Sequence, residues 1–198
     1  MKKENNKETF YLVSVDMGYG HQRAAYPFFD SCSGGVITAN NYDGATAQEI
    51  AVWKKDRSSY EAISKFKDFP ILGDMVFSAM DYFQRIEPFY PRRDLSKRTI
   101  QQEVFFKKVK KGLGKNLIDK LNEKPLPLLT TFFVAVYFAE YYNYKGQIYC
   151  VICDADISRS WAPINPKKSN TIYLAPNQRV KERLMLYGVK DKNIYVTG

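Results

Sequence analysis

Residues 10–15 (FYLVSV) are a short β-prone run that stops at Asp16 and the glycine pair Gly18 and Gly20. A strand that feeds a tight turn and then a helix is the first unit of a parallel α/β sheet, and this constrains the fold more than any other feature. Residues 21–29 read as that helix, and residues 34–39 (GGVITA) as the second strand. Because ligands of such sheets collect at the carboxyl ends of strands, the polar residues just past each strand are the ones to inspect.

The rest of the chain repeats the alternation. Residues 72–83 carry apolar side chains at steps of three and four, which predicts a helix that Pro88 and Pro91 end. A second helix is expected from about Ser96, with Ile100, Val104, Phe105 and Val109 inward, and a third carries Leu117, Ile118 and Leu121. Residues 128–131 then read as a strand entering the apolar helix 132–142, and residues 147–153 as a strand ending at Asp154. Residues 171–174 and 193–196 complete the strands. Between them Asn177 is a good N-cap and Gly188 a helix stop. The expectation is a single Rossmann-like domain over residues 1–198: a mostly parallel sheet, helices on both faces, and a helical, basic segment at about residues 70–124.

Composition narrows the classes. With 45% hydrophobic and 15% aromatic residues the 198-residue chain has enough apolar surface to fold, and no stretch approaches the ~20 apolar residues that cross a bilayer. The polar start and the early stop at Asp16 lack a signal-peptide core, so a cytoplasmic location is expected. Three cysteines, Cys32, Cys150 and Cys153, are too few to staple a secreted domain. The Cys150–Cys153 spacing puts the two on opposite faces of a strand, and with one histidine in the chain no zinc set is available. Buried structural thiols and no metal site are the expectation.

Gly18-Tyr19-Gly20 lacks side chains where the backbone must turn, and a helix starting near His21 would aim free N–H groups at a ligand. His21 is the only histidine and sits at the mouth of this turn, where a neutral imidazole suits a general base; packing or capping the turn is the bland alternative. A nicotinamide cofactor, NAD(P), fits less well. Its fingerprint wants a small residue where Arg23 stands and a carboxylate at the end of the second strand, where Asn40 and Asn41 stand.

The segment Ser14-Val-Asp-Met-Gly-Tyr-Gly-His21-Gln-Arg-Ala-Ala25 resembles the opening of GT-B glycosyltransferases of the monogalactosyldiacylglycerol synthase and MurG-like group. Asp154, Trp161, Tyr173-Leu-Ala-Pro-Asn177, Val180-Lys-Glu-Arg-Leu184, Gly188-Val189 and Ile194-Tyr-Val-Thr-Gly198 resemble that group's later motifs, in order. Residues 43–124 carry no matching motif. The resemblance implies the N-terminal, acceptor-binding half of a two-domain enzyme, either a piece of a longer chain or a natural half-protein. Its nucleotide-sugar domain would lie in the same or a separate chain, and the fragment alone would be inactive. A UDP-sugar would be the donor, with no bound cofactor or metal. His21 would deprotonate an acceptor hydroxyl, and Asp154 or Asp16 would orient His21, or else cap strand ends. Gly18, Tyr19, Gly20 and Thr131 would line the acceptor, and Trp161 would stack on a sugar or acyl chain or else sit in the core. Where the group often has a histidine before the tryptophan, this chain has Ser158-Arg-Ser160. A non-catalytic module that binds a ligand or partner is the alternative of a different class.

Charge is localised. Between residues 92 and 124 eleven Lys and Arg face four Asp and Glu, which is +7 of the net +9. Arg92 and Arg93 follow Phe89 and Tyr90, and Phe105 and Phe106 precede Lys107, Lys108, Lys110 and Lys111. Basic side chains beside aromatics suit an anionic membrane surface, here the inner face, and a lipid or lipid-linked acceptor. A solvated helix face is the competing reading. Nucleic acid ranks third, because no binding signature supports it.

Overall fold

The computed structural model describes residues 9–17, 19–66 and 85–198. Six strands, β1 (Tyr11–Ser14), β2 (Val36–Thr38), β3 (Leu128–Thr130), β4 (Ile148–Val151), β5 (Ile172–Ala175) and β6 (Ile194–Val196), form one parallel sheet in the order β2-β1-β3-β4-β5-β6. The chain leaves β1 toward β2 on one side and returns to β3 on the other. The crevice between β1 and β3 is therefore the point where strand order reverses, the usual ligand position of an open α/β sheet.

Strand side chains alternate between two apolar layers. Val13, Leu128, Cys150 and Tyr173 enter the larger core, which α2 (Ala47–Phe66), α3 (Ile100–Lys110), α4 (Lys115–Asn122), α5 (Phe133–Tyr141) and α6 (Gln178–Leu186) cover with Trp53, Phe106, Ile118, Val136 and Leu184 among others. Leu12 and Leu129 face the other way, onto Ala25 of α1 (Tyr19–Ala25) and Phe28 of the short 3-10 turn Tyr26–Ser31. The sheet is thus flanked by helices, as expected of a Rossmann-like fold.

Three local expectations need correction, and the predicted helix at residues 72–83 falls outside the described residues. The first helix starts at Tyr19 and stops at Ala25. Pro27, which lacks an N–H, sits in the first turn of the 3-10 segment that follows. The face of α3 is rotated: Ile100 and Val104 are 64% and 53% exposed, while Gln102, Phe106 and Val109 are buried. Val109 is buried and Phe105 packs on the core as expected, but a polar residue, Gln102, takes the inward place that apolar spacing gave to Ile100 and Val104. Helix α2 was not expected. It begins with a reciprocal cap: Thr46 Oγ1 accepts from the Glu49 N–H (3.1 Å) and the Glu49 carboxylate accepts from the Thr46 N–H (3.0 Å).

Buried polar side chains fasten the helical layer. Glu49, 6% exposed, also accepts from the Tyr42 hydroxyl and from the Gly114 N–H at 2.9 Å. Gly114 has φ of 80°, and a Cβ there would stand 2.3 Å from the Phe138 ring, so only glycine fits between α3 and α4. Leu117, Ile118 and Leu121 are buried as predicted, and Asn177 caps α6 by accepting from the Val180 N–H at 2.8 Å.

Candidate functional site

The carboxyl ends of β1, β3 and β4 converge on one side chain. His21, in the first turn of α1, holds its Nδ1 2.9 Å from the Thr131 carbonyl, one residue past β3. A carbonyl oxygen only accepts, so Nδ1 carries a proton, and in the neutral ring the lone pair is on Nε2. Among the described residues the ring's other polar contact is one of 3.4 Å from Nδ1 to Cys153 Sγ, just past β4. Phe132 and Trp161 pack beside it, with ring centroids 4.7 and 6.0 Å away. The imidazole is half-buried, and the residues preceding it, Asp16, Met17, Tyr19 and Gly20, are exposed. It thus stands at the rim of the switch-point crevice.

Thr131 is the knot of this arrangement. Its N–H donates to the Val13 carbonyl (3.2 Å), its hydroxyl donates to the His21 carbonyl (2.9 Å), and that hydroxyl lies 3.1 Å from the Ser14 hydroxyl. Thr131 is 0% exposed, so its side chain cannot line an acceptor as expected; its backbone carbonyl orients the imidazole instead. That carbonyl occupies the role foreseen for Asp154 or Asp16, and neither carboxylate is the partner of Nδ1. Asp16 accepts from Gln22 Nε2 at 2.9 Å, while its backbone is clamped by Asn40, which accepts from the Asp16 N–H (2.9 Å) and donates to its carbonyl (3.1 Å). Asn40 is committed to this turn.

Comparison with family models, with curated proteins and with solved structures finds no match to this chain.

The remaining predicted residues divide between site and scaffold. Gly20 lies inside α1 with open space where a Cβ would go, so nothing local demands glycine there. Helix α1 has seven residues, and Gly20 and His21 lie inside its first turn rather than ahead of it. Tyr19 is 79% exposed and free to reach a ligand, whereas Gly18 is outside the described residues. Trp161 is 5% exposed and packs on Phe133 at 5.6 Å, so it backs His21 from the core.

Sequence reasoning missed Cys153. Cys150 is fully buried as expected, but Cys153 is half-buried and touches the imidazole, because β4 ends at Val151 and the chain has left strand geometry by residue 153. Burial, and then the charge of Asp154 beside it, push the Cys153 thiol up to about 11. At neutral pH it is a thiol rather than a nucleophilic thiolate. Among the described residues no group of three or more His, Cys, Asp or Glu is placed to hold a metal, and no helix is long and apolar enough to cross a membrane.

The basic segment does not form one open patch. Arg92 pairs with Glu182, Arg93 with Glu87 at 2.8 Å, and the Arg92 guanidinium lies over the Phe89 ring at 5.4 Å. Phe106 is buried and Phe105 half-buried, and Lys110 and Lys108 fold back over these rings, with Nζ 5.1 and 5.9 Å from the centroids. The exposed face of α3 instead sets Ile100 and Val104 in line with Lys107 and Lys111, at steps of four, three and four.

Proposed function

We propose that this chain binds the acceptor of a nucleotide-sugar-dependent glycosyltransferase of the GT-B type. The observation that carries the reading is the lone imidazole at the switch point, with Nδ1 on a backbone carbonyl and no partner for Nε2 among the described residues. In the proposed step Nε2 takes the proton of an acceptor hydroxyl as its oxygen bonds to the anomeric carbon. The bond from that carbon to the donor's diphosphate breaks, and the nucleotide diphosphate leaves with the electron pair. The Thr131 carbonyl dipole then faces the imidazolium and stabilises it, a weaker version of the carboxylate in other histidine-base sites.

A UDP-sugar is the donor in this reading, supplied by a partner domain, and the acceptor is lipid-linked or close to a membrane. The segment resemblance around His21 and from Asp154 onward supports the donor assignment. The apolar and basic stripe of α3 supports the membrane assignment. A dinucleotide reading is weaker, because Asn40 stands at the end of β2 and spends its side chain on Asp16.

Transfer of a labelled hexose from UDP-sugars to lipid extracts, measured with the complete protein, tests the reading. His21→Ala is expected to lower transfer about a hundredfold or more with the fold intact. Undiminished transfer in that variant removes His21 as the base.

A further inference from the structure

Beside the imidazole lies an apolar slot of about 170 Å³. Four parts of the fold meet around it: Met17 from the turn after β1, Trp53 from α2, Phe105 from α3, and Phe132, Phe133 and Val134 at the start of α5. Phe132 is shared, with one side toward His21 and its contacts extending into the slot. Met17 is 40% exposed, so the slot opens to solvent at the turn that carries His21, under a flexible thioether.

The side-chain polar groups of Gln102, Tyr137 and Ser160 around the slot are already paired. Gln102 Nε2 lies 3.0, 3.2 and 3.3 Å from the Tyr137 hydroxyl and the Arg159 and Ala162 carbonyls, the Tyr137 hydroxyl donates to the Ser160 carbonyl, and the Ser160 hydroxyl donates to Gln101 Oε1. None of the lining side chains is charged. An ionic or strongly polar group would lose its hydration here without recovering it, whereas apolar cavities of roughly 150 Å³ stay dry and take up hydrocarbon. The slot is also smaller than the ~300 Å³ or more that buries a whole drug-sized ligand, so it holds one part of a molecule whose remainder lies outside.

We propose that this slot takes an unbranched hydrocarbon segment of an amphiphilic ligand, with the polar end left at the mouth beside His21. As the apolar subsite of the acceptor, it rests on the acceptor-binding reading; as a hydrocarbon site, it is tested without any sugar transfer.

Trp53 is a built-in reporter, because bromine in contact with the indole quenches its emission. A series of ω-bromo-1-alkanols, from about four to about ten carbons, is expected to quench saturably. Affinity should rise about three- to fourfold per methylene until the slot is full and then level off. Met17→Glu, an exposed position whose change leaves the core alone, is expected to weaken the plateau affinity by about tenfold or more, roughly what two buried methylenes contribute. Val134→Phe, which fills the interior, should do the same. Quenching that keeps rising with chain length, that does not saturate, or that both variants leave unchanged overturns the proposal. Because no transfer is measured, such a failure leaves the His21 chemistry standing, and loss of the His21 chemistry leaves an observed plateau standing.

Discussion

At the scale of single residues, two predictions follow from groups that share the crevice. His21 is the chain's only histidine, so its ring nitrogens give one pair of signals in a long-range nitrogen–proton spectrum. Nδ1 is expected to show the protonated pattern and Nε2 the lone-pair pattern, and Cys153→Ala should leave this unchanged because the Thr131 carbonyl sets the tautomer. The opposite tautomer would contradict the assigned geometry. Cys153 itself, with its thiol raised to about 11, should alkylate on the order of a hundredfold more slowly than a free peptide thiol at neutral pH and accelerate as pH approaches that value. Rates near those of a peptide thiol would refute the burial argument. His21 was legible in the sequence because a strand, a glycine turn and a solitary imidazole coincide. Its partner was not, since a backbone carbonyl carries no side-chain signature, whereas Asp16 and Asp154 stood out as carboxylates at strand ends.

Elements are joined by a second kind of contact, best seen where α6 meets the loop after β4. Arg183, 1% exposed, donates through Nε and Nη2 to both oxygens of Asp156 at 2.9 and 2.8 Å and through Nη1 to the Glu87 carbonyl, and Arg179 adds a 2.8 Å bond to Asp156. Both guanidiniums lie over Phe89, at 5.0 and 4.9 Å, so the segment preceding α3 is strapped onto α6. Burial by itself would raise the Asp156 carboxyl, but the bonds from Arg183, Arg179 and the Ile157 N–H outweigh it and hold the group at about 2. A depressed carboxyl stabilises the fold above its unfolded value, ~3.9, and that contribution disappears as pH falls from there through about 2. Urea midpoints measured across this window should fall for the native chain and lose that component in Asp156→Asn. Arg183→Met should cost about 3 kcal/mol at neutral pH, since it strands a partly buried carboxylate; a loss under 1 kcal/mol would argue that the strap is ornamental. The capping boxes Thr46-x-x-Glu49 and Thr99-x-x-Gln102 were present in the sequence as start signals for α2 and α3, yet apolar periodicity drew attention elsewhere. Polar residues that turn inward, Glu49 and Gln102, are the ones periodicity cannot place.

For the molecule as a whole, strand count and parallel direction were readable from the alternation of apolar runs and turns. Sheet order was not, because it depends on where β3 returns relative to β1. The net charge of +9 was also readable, but its distribution was not: ion pairs absorb Arg92 and Arg93, leaving the outer face of α3 as the presented surface. Flotation with vesicles should therefore recover more protein on anionic than on neutral lipid, with the difference shrinking in high salt. Replacing Lys107 and Lys111 together by Glu should abolish the difference. Equal recovery on both lipids would assign that face to solvent.

The threonine after β3 has a further implication. The atoms that aim the imidazole also close the seam between the two strands where the sheet changes direction, through Val13, Ser14 and the His21 carbonyl. The partner of Nδ1 is therefore fixed by the same residue that ties β3 to β1, so its position follows the register of those two strands. The exposed turn of Asp16, Met17 and Tyr19 can then change in sequence while the carbonyl that holds the imidazole stays in place.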